Sequence, residues 1–506
     1  MEEILEEKLK MRQKSAKNNY FYNLIYQILL VITPLITTPY ISRVLGSSEI
    51  GKYSFVASTV SVFIVISNLG FHQYSQRKIA SLQKDEKRQS LVFWEVFIMK
   101  FIVSFIMLII YGVFLLFMIK SDYFILFIIF TIELASILFD ISYFYQGNEK
   151  FGIMVFRNSV VKITVVILIF VFVKTKNDLN VYAFLNVLAI FISTISLWIA
   201  APRYLKKINR RELNIFQHFL PALKLFIPAL TLTLYVTINK TLIGILVPGT
   251  SIVNGIEVRN ANIQNGLFEQ AFKVYKLCVL FLTSLGTVMI PRNTRELSEG
   301  KIENFNKNIN KAIRFTMLFG FPIVFGLIAT AYNFSGWFYG PGFDGIEIVI
   351  ILLAPRALFQ GLNNIFGMQY MIPKQLDRQY SIFVLIGGAI NIIFSIPLII
   401  MFGAVGAAIS STLSEFIRMV AMIVYLKNKE QLQFTVPLKY LLSGLIMFSG
   451  VFALNYFLKS SIPNTLIIVS VGVISYTAMM LITKDELFRE ILNFMFSGFK
   501  KIFKKN

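Results

Sequence analysis

Long apolar runs alternate with short basic connections along this chain. A helix that crosses a bilayer needs about 20 mostly apolar residues. Fourteen stretches meet that length: 20–43, 52–71, 92–119, 123–146, 153–173, 181–201, 220–247, 268–291, 310–333, 346–371, 379–402, 404–427, 438–458 and 464–483. Two tight turns, at Lys120–Asp122 and Gly403, divide neighbouring runs. The longest connections, about 248–267 and 292–309, are too short to house a soluble catalytic domain. The pattern predicts an all-α polytopic membrane protein with fourteen transmembrane helices, numbered spans 1–14.

Composition points the same way. Of 506 residues, 56% are hydrophobic and 15% charged, against about 25% charged in a soluble chain. Fifty Phe and 22 Tyr are too many for a water-soluble core to hide. This argues against a soluble enzyme, a nucleic-acid binder and a disordered scaffold. The one cysteine, Cys278, excludes an intramolecular disulfide. His72 and His218 lie beside basic loops, and no Cys/His cluster has metal-ligand spacing. No phosphate-binding loop follows a strand pattern. No metal or cofactor is therefore expected, and no cleavable signal precedes the first apolar run.

The net charge of +22 has a location. On the side of the N-terminus the connections and termini carry 32 Lys and Arg; on the other side they carry 7. Basic loops stay in the cytoplasm, so both termini are expected there, in a multi-pass plasma-membrane protein. Topology and contact with anionic membrane lipids account for most of the charge, and no nucleic acid is needed. In the tail, Leu487, Ile491, Met495, Phe499 and Ile502 fall at helical spacing, with Lys500, Lys501, Lys504 and Lys505 at the end. That predicts an amphipathic helix on the cytoplasmic leaflet.

An internal repeat sets the domain plan. Gly51–Gly70 and Gly266–Gly286 both open Gly-x-aromatic, carry Ala five or six residues on, and close on Leu-Gly before a basic loop. Pro34, Tyr40 and Arg43 of span 1 correspond to Pro228, Tyr235 and Lys240 of span 7. The ends of spans 4 and 10 also correspond. Two parallel six-helix lobes follow, an arrangement used by transporters that rock about a substrate site between repeats. The expected parts are a cytoplasmic segment 1–19, an N-lobe 20–201, a linker 202–219, a C-lobe 220–427, spans 13–14 in 428–483, and a basic tail 484–506.

Charges within the spans are candidate chemistry. Ten are basic (Lys100, Lys162, Lys224, Lys240, Lys273, Lys276, Arg314, Arg356, Arg418, Lys439) and four acidic (Glu95, Glu133, Asp140, Glu415). One at the bilayer centre costs at least about 2.5–3.5 kcal/mol. Lys224, Arg314 and Lys439 are near enough to span ends to snorkel. Lys162, Arg356, Glu133 and Glu415 are near mid-span, where an aqueous cavity is the expected environment. Arg356, Gln360, Asn363 and Asn364 form a stripe at helical spacing, as do Thr233, Thr237, Lys240 and Gly244. Glu269, Lys273 and Lys276 align, and so do Glu133, Ser136, Asp140 and Tyr143; Glu415 and Arg418 are spaced to pair. The excess of bases predicts an anionic substrate, since Arg and Lys both suit phosphate. Candidate substrate contacts are Arg356, Lys240, Lys162, Arg43, Lys273, Lys276, Gln360 and Asn364. Candidate ion-coupling acids are Glu133, Asp140 and Glu415, with a proton or sodium gradient as the driving force.

Strings spread along the chain carry a resemblance. They are TPYISRVLGSSEIGKYSF (Thr38–Phe55), YFYQGNEKFGIMVFRNSVVK (Tyr143–Lys162), LFIPALTLTLYVTINKTLIG (Leu225–Gly244), GLFEQAFKVYKLCVLFLTSLGTVMIPR (Gly266–Arg292), GMQYMIPKQLDRQYS (Gly367–Ser381) and FGAVGAAISSTLSEF (Phe402–Phe416). In this order they resemble bacterial polysaccharide repeat-unit flippases of the multidrug/oligosaccharidyl-lipid/polysaccharide exporter superfamily. The resemblance implies alternating-access export of undecaprenyl-pyrophosphate-linked oligosaccharides, for O-antigen, capsule and related polymers, beside a polysaccharide polymerase and glycosyltransferases. Members often carry an acid just before the basic residue of span 7; here Asn239 precedes Lys240. A lipid-linked peptidoglycan-precursor flippase is the alternative within the superfamily. The cationic excess disfavours a drug exporter. A membrane polymerase or glycosyltransferase is the alternative of another class, but the large outer loop or metal-binding carboxylate motif it needs is not visible.

Overall fold

The computed structural model describes residues 2–83, 85–253, 255–430 and 437–493. Every predicted span falls on helix. Spans 1 and 2 join in α1 (Glu2–Asn68), interrupted at Gly46, whose φ of 76° and ψ of 172° are not helical. Span 3 is α3 (Glu86–Met118), capped by Asp85, whose side chain accepts from Arg88 N. Spans 5, 6 and 7 are α6 (Phe151–Phe172), α7 (Leu179–Ala200) and α8 (Phe219–Leu246). Spans 8, 9 and 10 are α9 (Asn260–Ser298), α10 (Ile302–Tyr339) and α11 (Ile346–Asn364), the last continued by a π-helical stretch to Met371. Spans 11–14 are α12 (Asp377–Phe402), α13 (Ala404–Lys429), α14 (Leu438–Phe457) and α15 (Ile462–Ile482). Among the described residues, ten helices are long and apolar enough to cross a membrane, and three apolar helices are shorter.

Four features differ from the sequence expectation. The basic connection after span 2 holds a helix, α2 (Phe71–Ser81). Span 4 is not continuous: α4 (Phe124–Ser136) and a 3-10 turn to Phe139 end at Asp140, whose ψ of 116° is extended, before α5 (Ser142–Gly147). Glu133, Ser136, Asp140 and Tyr143 therefore do not share one helical face. The connection after span 7 holds a hairpin, β1 (Thr250–Val253) and β2 (Ile256–Arg259), and α9 starts directly behind it. The tail also departs: Leu487 is buried, and Phe488 and Ile491 pack on the core of helices that includes Tyr440 and Met480. Those residues face protein, not lipid. Met495, Phe499, Ile502 and the terminal lysines lie outside the described residues.

The chain separates into two compact units, 1–244 and 245–506. The residues of α8 through Gly244 thus fall in the first unit, although the repeat pairs span 7 with span 1. The contacts explain why. Gly70, in left-handed backbone between α1 and α2, lies so close to α8 that a Cβ there would collide with Ala222 O. Thr241 donates to Ser58 Oγ at 3.0 Å, and Phe55 lies over Gly244. The first unit's core gathers Phe71, Phe93, Val96, Tyr143, Phe144 and Leu197. The second unit's core gathers Ile309, Ile313, Leu362, Met422, Met447 and Ile468. Large apolar side chains elsewhere point outward, with Phe117, Ile199 and Tyr456 more than three-quarters exposed. Bilayer lipid is the solvent that such surfaces require.

Candidate functional site

In the first unit the two buried charges of α3, Glu95 and Lys100, are fully committed. Glu95 has no exposed surface and accepts from Asn214 N (2.6 Å), Gln217 Nε2 (3.1 Å) and His218 Nε2 (2.7 Å). Tyr74 Oη, on α2, stands 2.7 Å from His218 Nδ1. His218 Nε2 thus faces the carboxylate and Nδ1 the tyrosine hydroxyl. This chain of contacts pins the end of the 202–219 linker to α2 and α3. His218 gives no sign of this in sequence, because its partners Glu95 and Tyr74 are more than a hundred residues away.

Lys100, five residues after Glu95, is also fully buried. Its ammonium donates to Asp140 Oδ2 (2.8 Å) and Asp140 O (3.0 Å), while Asp140 Oδ1 accepts from Ser142 N (3.0 Å). His72 Nδ1 is 3.8 Å from Asp140 Oδ2, and its Nε2 donates to Gln146 Oε1. Asp140 thus both accepts from the first N–H of the short helix α5 and neutralises Lys100. The break in span 4 and the buried lysine are one feature: the chain leaves the helix where the carboxylate and carbonyl can reach the ammonium.

The other candidates of this unit are more open. Lys240 and Lys162 are half-buried, and Arg43 is exposed, with Nη1 reaching Pro39 O at 3.4 Å. Glu133 is half-buried on α4 and has no ion-pair partner among the described residues.

In the second unit the α11 stripe turns onto α9 and α13. The Arg356 guanidinium is 4.7 Å from the Tyr275 ring centroid and 5.4 Å from that of Phe272, and only 2% of the residue is exposed. Tyr275 Oη donates to Gln360 Oε1. Asn364 Oδ1 accepts from Gln369 Nε2 at 3.2 Å and lies against Gly286 of α9. Asn363 Nδ2 donates to Glu415 Oε2 (2.7 Å), which also pairs with Arg418 Nη2 (2.7 Å). The expected Glu415–Arg418 pair is therefore present, fully buried on the acid side. On α9, Lys273 is half-buried and Lys276 exposed. The structure brings Arg356 and Gln360 together around Tyr275, a residue that sequence reasoning passes over. Its spacing from Phe272, three positions, is the available signal.

The helical fold is similar to that of solved transporter structures. The structure of the lipid II flippase MurJ in an inward closed conformation superposes with a TM-score of 0.65, at 19% identity, covering 94% of this chain and 99% of that one. A MOP superfamily transporter from Pyrococcus furiosus gives 0.55 at 15% identity, covering 85% and 94%. Residues 16–297, more than half of the chain, match the family described as polysaccharide biosynthesis protein, and the chain belongs to that family. A protein from Escherichia coli (strain K12) named as an O-antigen transporter is 23% identical over 421 residues, 83% of this chain and 98% of that protein.

Proposed function

We propose that this multi-pass membrane protein is a flippase that moves undecaprenyl-pyrophosphate-linked oligosaccharide repeat units from the cytoplasmic to the outer leaflet of a bacterial plasma membrane, by alternating access. The observation that carries the reading is the near end-to-end match to a protein named as an O-antigen transporter. The surplus of cations within the spans supports it independently, because a pyrophosphate entering low dielectric needs compensating charge. Arg356, Lys240, Lys162 and Arg43, with Lys273 and Lys276, supply such charge at several depths. Arg356 is held beneath Tyr275 and Phe272 in this conformation, so its engagement requires those rings to part. The termini lie in the cytoplasm, on the strength of the 32-to-7 distribution of basic residues. Movement is coupled to a proton or sodium gradient. Glu133 is the better coupling acid than Asp140 or Glu415, since those two are already in ion pairs.

The test is depletion of the protein followed by leaflet-resolved analysis of lipid-linked sugars. A precursor that accumulates on the cytoplasmic leaflet establishes role and substrate together; unchanged leaflet distribution refutes both. A second reading, flipping of a lipid-linked peptidoglycan precursor, is favoured by the 99% coverage of the lipid II flippase fold. Accumulation of that precursor in the same experiment would select it.

A further inference from the structure

The hairpin between α8 and α9 lies outside the set of candidate substrate contacts. Its register pairs Thr250 with Arg259, Ser251 with Val258, Ile252 with Glu257, and Val253 with Ile256. Paired residues point to the same face, and faces alternate along a strand. One face therefore carries Ser251, Val253, Ile256 and Val258; the other carries Thr250, Ile252, Glu257 and Arg259. The first face is apolar except at its base, and it grows more apolar toward the tip. Ile256 there is 67% exposed and Ile252 on the other face 79%, so protein covers little of either.

Two observations say what does. The hairpin cannot travel far from the membrane. Only three residues separate Leu246, the end of α8, from β1, and α9 begins directly after β2. At about 3.3–3.6 Å per residue the base stays within roughly 10 Å of the helix ends. Its lever is also rigid: Asn260 N donates to Gly249 O (3.0 Å), Asn260 Nδ2 to Pro248 O (3.2 Å), and Ser251 Oγ to Asn260 Oδ1 (2.5 Å). The base is thereby clamped to the first turn of α9. Ile245, in the last turn of α8 before the hairpin, is likewise apolar and 62% exposed.

We propose that the hairpin is a membrane-surface paddle, lying in the headgroup region on the side of the bilayer opposite the termini, with Val253, Ile256 and Val258 toward the acyl chains and Glu257 and Arg259 toward water. Apolar side chains immersed at the headgroup boundary, with charges above, are how interfacial elements bind lipid. Clamped to α9, the paddle holds the outer ends of α8 and α9 at a fixed depth.

The test uses the full chain with Cys278→Ser, reconstituted in bilayers. Single cysteines at Val253→Cys, Ile256→Cys and Glu257→Cys carry a nitroxide, and power saturation compares membrane-soluble oxygen with a water-soluble nickel chelate. Oxygen accessibility should exceed nickel accessibility at 253 and 256, with the order reversed at 257. Nickel accessibility dominating at all three would place the hairpin in water and overturn the proposal. Shielding of 253 and 256 from both reagents would overturn it in favour of a second protein surface. If a labelled variant does not insert, Ile256→Trp in a chain whose Trp94, Trp198 and Trp337 are replaced by Phe, quenched by shallow brominated lipid, reads the same contact; an unquenched, water-exposed indole refutes it.

Discussion

Lys100 and Asp140 each depend on the other. The ammonium has no exposed surface and the carboxylate little. Removing one partner of a buried pair costs about 3–5 kcal/mol, because the other charge is left uncompensated. Lys100→Met should therefore lower the thermal unfolding midpoint sharply in detergent, and Lys100→Met with Asp140→Asn should restore most of it. Equal midpoints for the single and double variants would mean that the pair does not hold the break in span 4. Glu133 behaves differently. With no such partner among the described residues, Glu133→Gln should fold normally yet flatten the dependence of transport on the driving gradient. A gradient response like that of the unmodified protein would make this acid structural. Arg356 is a third case. Its flat guanidinium lies over two rings, which Lys cannot reproduce. A hydrogen bond to a charged group contributes about 1.5–3 kcal/mol, so Arg356→Ala should cost ten- to a hundred-fold in substrate binding. Arg356→Lys should recover only part, measured as polymer export at equal protein level.

Helices are legible in sequence because their signal is local. A run of some 20 apolar residues announces itself, as α12 and α15 do. The break in span 4 does not, because its cause is Lys100, forty residues away, and the apolar run continues through Asp140. The α2 helix is hidden by its polarity: only Phe71, Ser75 and Ile79 turn inward. The hairpin does carry a local signal. Asn254-Gly255 between alternating residues is the strongest short hairpin pattern, but two long apolar runs flank it and a search for spans leaves it as a connection. Candidate site residues are legible as residue types and not as partners. Glu415 and Arg418 lie on one helix and their pairing can be read; Glu95 and His218 are 123 positions apart and theirs cannot. Close helix contacts follow the same logic. At Gly70 the backbone is left-handed, and a Cβ would collide with Ala222 O. Backbone cannot yield as a flexible side chain can, so Gly70→Ala should sharply reduce the amount of folded protein. Gly112, where an added Cβ would meet nothing within 4 Å, should tolerate Ala. Equal yields for the two would show that the α2–α8 contact is loose.

The whole molecule must have an orientation before it can have a direction of transport. The proposed orientation puts the termini in the cytoplasm, the side to which basic connections are biased. Asp344, exposed between α10 and α11, and Ser298, exposed at the end of α9, lie at opposite ends of α10. In a Cys278→Ser background, Asp344→Cys should react with an impermeant thiol reagent from outside and Ser298→Cys should not; the reverse pattern would invert the topology. The proposed function requires that this chain alone carry a pyrophosphate-linked glycan across a bilayer. The direct measurement is made on purified protein in sealed vesicles loaded with undecaprenyl-pyrophosphate oligosaccharide and probed with a glycan-cleaving enzyme that cannot cross the membrane. With a proton or sodium gradient imposed, the cleavable fraction should rise beyond the half expected of a static, symmetric distribution, and Arg356→Ala with Lys240→Ala should abolish the rise. A cleavable fraction identical to that of protein-free vesicles would contradict it.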